Sequence, residues 1–203
     1  MGSTAMTLPT ADGSANQVLK TNGSGTLSWT ANSGSGASAV NDLSDALIED
    51  NSMYLGNDPS GSTSTAQYNV SVGTTALDAI TTGDHNVAVG NNSLTNNTTG
   101  SSNTGVGSVT LETNTTGNYN TAVGTGAIQS NTEGSYNVAV GYDGLTRNTT
   151  GDNNTTLGYQ AGDVITTGSN NVVLGYGSDP SANSGANQIV IGHGATGHGD
   201  NIA

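Results

Sequence analysis

Aromatic and hydroxyl side chains recur in this chain at a fixed interval, and that recurrence frames the chemistry open to it. Tyr142, Tyr159 and Tyr176, followed by His193, keep a constant spacing of 17. Tyr68, His85, Tyr119 and Tyr136 fall on a second series of the same period. Aromatic faces arrayed along a rod could take sugar rings, which makes Tyr142, Tyr159, Tyr176, Tyr119 and Tyr136 candidate glycan contacts; equally, such rings can stack on one another and cover a thin wall. Thr81, Thr98, Thr115, Thr132, Thr149 and Thr166 form a hydroxyl series. Thr82, Thr99, Thr116, Thr150 and Thr167 nearly form another, broken by Glu133. Regular threonine arrays on flat solenoids can match ice, but neighbouring strand residues point to opposite faces and Gly follows at once, so these positions also suit turns.

Catalytic and metal chemistry find little support. The chain holds 3 His, 15 Asp plus Glu and no Cys. No His pair has zinc spacing, and neither an EF-hand loop nor a Gly-rich calcium repeat is present. No metal, cofactor or catalytic residue is therefore expected. His193 and His198 could meet on an axis between chains and hold an ion, although exposed polar turns are the simpler reading. Acids such as Asp143 and Asp152 could serve an inter-chain glycosidase, but nothing singles them out. Asn97-Thr-Thr and Asn148-Thr-Thr match glycosylation sequons, which this repeat composition generates by chance.

Composition narrows the partners. Formal charge is −13, with Lys20 and Arg147 the only strong bases. An acidic surface of this kind does not suit DNA, RNA or anionic lipid. No apolar run is long enough to span a membrane, and no classical leader opens the chain. Met1 to Met6 reads as a cloning scar. Leu, Ile and Val make up only about a sixth of the residues, a level that ordinarily signals disorder.

The repeats overturn that expectation. Gly73, Gly90, Gly107, Gly124, Gly141, Gly158, Gly175 and Gly192 keep a strict period of 17. So does a second glycine series from Gly83 to Gly185. Asn69, Asn86, Asn103, Asn120, Asn137, Asn154 and Asn171 form a third, with Gln188 in the next slot. An aliphatic precedes each first-series glycine, from Val72 to Ile191, and another follows four residues later at Leu77, Leu94, Leu111, Ile128 and Leu145. A short alternating run ended by Gly, then polar residues and a second Gly, predicts two short strands and two turns per rung of a parallel β-solenoid. Rungs would stack at about 4.8 Å, placing like side chains over one another and joining the Asn amides into a ladder; eight rungs would make a rod of roughly 38 Å. Asn97, Asn114, Asn131 and Asn148 predict a second ladder, flanked by Ile80 and Ile165. The pre-glycine column is expected to be the main core column, facing the coil interior or an axis between chains. Two or three large apolar side chains per rung make a thin core, which argues for several chains around one axis.

Asn-Val-Ala-Val-Gly (86–90), Asn-Thr-Ala-Val-Gly (120–124) and Asn-Gln-Ile-Val-Ile-Gly (187–192) resemble the repeated motif of trimeric autotransporter adhesin heads. That resemblance implies a left-handed parallel β-roll assembled as a homotrimer, with one turn expanded, because the unit here is longer than is usual in that family. Asn201 follows Gln188 by only 13, closer to the adhesin unit, as in a piece of a longer fibre. The segment from Leu8 to Trp29 resembles one common in tail-fibre and structural proteins of bacteriophages, marine ones especially, and Asn51-Ser-Met-Tyr-Leu-Gly56 is similar to such proteins too. The resemblance implies a virion tail-fibre component, a rigid rod that contacts a host polysaccharide or receptor and other virion proteins. A bacterial surface adhesin, an ice-binding solenoid and a polysaccharide-cleaving tailspike are the alternatives.

These readings define an all-β chain in three parts. Residues 1–6 are set aside. Residues 7–67 hold a β-hairpin (17–20 and 26–29), a Ser/Gly-rich linker (31–38), a short amphipathic helix over 39–50 carrying Val40, Leu43 and Leu47, and a turn at Asp58-Pro59-Ser-Gly61. Residues 68–203 are the solenoid.

Overall fold

The computed structural model describes residues 8–10, 17–21, 24, 26–31, 46–49, 51–56 and 65–199. The chain divides into two compact units, Met1–Ser44 and Asp45–Ala203. In the first, β1 (Gln17–Thr21) pairs antiparallel with β2 (Leu27–Ala31), with Leu19 opposite Trp29. This is the hairpin expected from the sequence. The scar, the linker over 32–38, the turn at 58–61 and Asn201 lie outside the described residues.

The second unit is a parallel β-solenoid. Its sheet runs from β3 (Ala46–Glu49) and β4 (Ser52–Leu55) through β5 (Val70–Val72), β6 (Val87–Val89), β7 (Thr104–Val106), β8 (Thr121–Val123), β9 (Val138–Val140), β10 (Thr155–Leu157) and β11 (Val172–Leu174) to β12 (Ile189–Ile191). Every strand from β4 to β12 pairs in parallel with its sequence neighbour, and from β5 onward each residue meets its equivalent one repeat on, as Thr121 meets Val138. Because β4 already lies in this sheet, the solenoid starts before residue 68.

The helix expected over 39–50 is replaced by a strand. Residues 46–49 form β3, antiparallel to β4, with Glu49 opposite Ser52. Asn51 sits between them at φ 61°, a left-handed conformation that Asn tolerates and that suits a tight reversal. Three apolar residues at helical spacing are a weak signal, and pairing to a strand already held by the sheet overrides it. Residues 39–45 lie outside the described set, and no helix occurs among the described residues.

Each rung carries one short strand, not two. The other side of the rung is built of turns, because Leu77, Leu94, Leu111, Ile128 and Leu145 all have φ between 48° and 55°. Strand geometry is closed to such residues. Backbone bonding to the next rung nevertheless continues there: Ile128 N–H donates to Gly144 O at 2.9 Å and Ser130 N–H to Thr146 O at 2.9 Å. The two glycine series serve different needs. Gly141 ends its strand at φ 145°, where a side chain would be strained. Gly134 lacks that conformation; instead its Cα passes so close to Gly151 O and Asn131 Oδ1 that a Cβ has no room.

The interior corrects the expected core. The strand-centre residues Ser71, Ala88, Gly105, Ala122, Ala139, Thr156, Val173 and Val190 point inward, together with the Leu77-to-Leu145 column, and all are buried. The pre-glycine aliphatics point outward: Val72 and Val106 are 38% exposed, Leu157 52% and Ile191 66%. A thin rung leaves the strand centre only enough room for a small side chain opposite a leucine. Where the leucine slot becomes Gly162, the strand centre grows to Thr156, whose methyl group and Ile165 fill the space a Cβ on Gly162 would enter. Where the slot becomes Asp179, the strand centre is Val173. Volume is thus kept nearly constant from rung to rung, as close packing requires.

Candidate functional surface

Two buried asparagine ladders hold the coil's shape. Asn120 Nδ2 donates to Gly134 O at 2.8 Å, and its Oδ1 accepts from Asn137 N–H at 3.0 Å and Asn137 Nδ2 at 3.2 Å. The same pattern joins Asn86 through Asn171, and Asn69 Oδ1 accepts from Asn86 N–H at 2.8 Å. Gln188 continues this ladder: its N–H donates to Asn171 Oδ1, and its longer side chain also reaches Ser181. In the second ladder Asn131 Nδ2 donates to Asn114 Oδ1 at 2.7 Å and to Gly134 O at 2.8 Å. Both amides therefore converge on one carbonyl. The sequon residues Asn97 and Asn148 belong to this second ladder and are fully buried, so glycosylation there would require unfolding.

The exposed tyrosines form three stacks along two columns. Tyr142 lies 5.2 Å from Tyr159 between ring centroids, Tyr159 4.9 Å from Tyr176, and Tyr176 5.1 Å from His193, with interplanar angles of 10°, 9° and 6°. Tyr119 stacks on Tyr136 at 5.0 Å and Tyr68 on His85 at 4.8 Å. The rungs hold the rings one over another, so ring faces within a stack are covered by their neighbours. Ring edges and hydroxyls remain in solvent. The Thr98, Thr115, Thr132 and Thr149 hydroxyls donate to the backbone carbonyl of the next threonine in the column, at 3.0–3.1 Å. They brace the wall and do not stand free as an array.

No metal-holding group of three or more His, Asp or Glu occurs among the described residues. His193 is spent in the Tyr176 stack, and His198 lines a cleft of about 230 Å³ beside β12 with Gln188, Val190 and Ala195. Among the described residues, one carboxylate has a perturbed environment. Asp179, in the inner leucine slot, is held above the usual aspartate range, first by burial and then by the charge of Asp163; the Val164 N–H at 3.4 Å and Arg147 oppose this. A pKa raised on folding means the ionised form is disfavoured in the rod. The rod's stability from this group is therefore full below the unfolded pKa and lost as pH rises through the folded one. Asp179→Asn is expected to raise the melting temperature at pH 7 and to make no difference near pH 3, as followed by far-UV circular dichroism; a lower melting temperature at pH 7 would contradict this.

Of the two directions the sequence left open for the pre-glycine column, the coil interior or an axis between chains, the structure excludes the interior and places the column on the outer sheet face. Every exposed large hydrophobic side chain within residues 65–199 falls in one of four columns: the two outward strand columns and the two aromatic-bearing columns that bracket them. One rung reads Tyr136, Val138, Val140, Tyr142; the next reads Asn153, Thr155, Leu157, Tyr159. No Asp, Glu, Lys or Arg occupies any of these columns.

The class defined by this geometry is a single-chain parallel β-solenoid with polar internal ladders and a charge-free outer sheet face. No family model, curated protein or solved structure matched the chain.

Proposed function

We propose that the chain is a structural and adhesive part of a phage tail fibre or related virion appendage, and that it works as a homotrimeric rod. The observation that carries this reading is the unbroken parallel ladder from β4 to β12. Its interior is filled rung by rung with a small strand-centre residue, in most rungs a leucine or isoleucine opposite it, and buried ladder amides. Such an interior transmits load along the axis and leaves no room for a substrate. The resemblance of residues 8–29 to phage fibre proteins supports a place on the virion. Nothing in the side-chain chemistry of the described residues favours catalysis. Contact with a host polysaccharide would fall on the edges and hydroxyls of Tyr142, Tyr159, Tyr176, Tyr119 and Tyr136 and on the outer faces of the stack-end rings Tyr119, Tyr136 and Tyr142, because stacking covers the faces between neighbouring rings.

The test is direct. Antibodies raised against the folded solenoid are expected to decorate the tail appendages of intact virions in electron micrographs, and the purified protein to bind host cells. Decoration of a bacterial cell surface in the absence of phage would move the chain to the adhesin class. Absence of both would overturn the reading.

A further inference from the structure

We infer that the charge-free outer face of the parallel sheet is the surface on which copies of this chain associate, side by side, parallel and in register. This rests on the multi-chain fibre reading above and names the surface that would carry it.

Charge is the first argument. Residues 65–199 carry eight Asp or Glu against Arg147, and all of them lie off the four columns. A second copy, equally acidic, can approach this face without bringing like charges together, whereas approach on any acid-bearing wall costs repulsion.

The second argument is period. The face is a lattice of knobs one rung apart, with Val138, Val140, Thr155 and Leu157 as its local unit. The partner that presents matching grooves at that repeat over the whole length is another copy of the same coil. A globular partner would match one or two rungs and then drift out of phase. Parallel, in-register docking also brings equivalent residues of the copies to one level, as a cyclic axis along the rod demands.

Area is the third. Eight rungs at about 4.8 Å and four columns at roughly 6.7 Å give a face of about 38 by 20 Å, or on the order of 750 Å² per copy. In a trimer each copy divides this face between two neighbours, about 375 Å² toward each, and the closed ring buries on the order of 2,250 Å² in all, against about 1,600 Å² for a standard two-body interface. The anatomy also fits. Aliphatic columns such as Val140, Leu157 and Ile191 form the centre, and the Tyr119–Tyr136 and Tyr142–Tyr176 stacks lie at its two margins, their inner edges against the neighbouring copy and their outer edges and hydroxyls left at the rim for the glycan contact proposed above. Interfaces are enriched in tyrosine and depleted of charge in this way. It explains why aliphatics such as Leu157, 52% exposed in mid-coil, persist on one wall of a chain otherwise rich in Asn, Thr and Gly.

The experiment uses the full chain, which has no cysteine. Multi-angle scattering of the wild type at tens of micromolar is expected to give about three times the 20.0 kDa chain mass. Val140→Glu with Leu157→Glu should return the mass to that of one chain with the β-sheet circular dichroism retained, because both side chains already point outward. Thr150→Glu, on an exposed turn away from the face, should leave the mass unchanged. A milder variant guards against misfolding. Val140→Cys is expected to form disulfides between copies under mild oxidation, and Thr150→Cys is not. A multimeric wild type whose mass survives the double Glu variant, or which cross-links at Thr150→Cys and not at Val140→Cys, would overturn this face while leaving the multi-chain fibre standing. A wild type that stays at one chain mass would overturn both.

Discussion

Ala122→Asp should cost about 3–5 kcal/mol of the solenoid's stability, because it buries a carboxylate that has no partner. Ala122 is fully buried, paired in register with Gly105 on one side and Ala139 on the other. Neither neighbour offers a donor beyond backbone groups already used in the ladder. Val123→Asp and Thr121→Asp place the same charge one residue away on the outer face. Each is expected to cost under about 1 kcal/mol of single-chain stability, as surface substitutions usually do. Urea unfolding of dilute protein separates the three. Equal losses for Ala122→Asp and Val123→Asp would mean that the inward and outward faces of the strand have been exchanged.

Asn120→Ala is the second large effect. The side chain has no apolar role; it satisfies buried groups on three rungs. Removing it leaves Asn137 N–H without its acceptor, takes one of two donors from Gly134 O and frees an acceptor site on Asn103 Oδ1. Each buried polar group left unsatisfied costs about 1–3 kcal/mol, so a total of about 3–5 kcal/mol is expected. Asn118→Ala is the comparison. Its amide also spans rungs, accepting from Ser101 N–H at 2.8 Å, but it is partly exposed, and water can replace it. Thermal melts should show the Asn120→Ala loss to be several times the Asn118→Ala loss. Similar losses would mean that the ladder is not a dry one.

Much of this architecture was legible in the sequence because a stacked coil must repeat whatever its tightest positions require. The first glycine series, the Asn69-to-Asn171 column and the Leu77-to-Leu145 column each mark a position with one steric solution. The inward direction of the strand was misread because hydrophobicity favours Val over Ala. A usable signal was present. Strand centres from Ser71 to Val190 are never larger than valine, whereas the flanking columns accept Val, Thr, Leu and Ile. A ceiling on size marks an enclosed site, and freedom of size marks an open one. The helix expected near Leu43 and Leu47 failed for another reason: β3 is set by pairing with β4, a contact that local spacing does not encode. The aromatic columns were visible in sequence, but whether their faces were free depended on rung height. At centroid separations of 4.8–5.2 Å the rings cover one another.

Double electron–electron resonance on the cysteine-free chain gives the most direct measure of the coil's repeat. Thr82, Thr150 and Thr167 are exposed and share one column. Spin labels at 82 and 150 span four rungs and at 82 and 167 five, so narrow distances of about 19 and about 24 Å are expected at about 4.8 Å per rung, in samples diluted with unlabelled chain. A difference of one rung height between the two pairs is the result the coil requires. Broad distributions centred at about 50 Å, as for a flexible chain of that length, would contradict it. So would two distances that do not step by one rung.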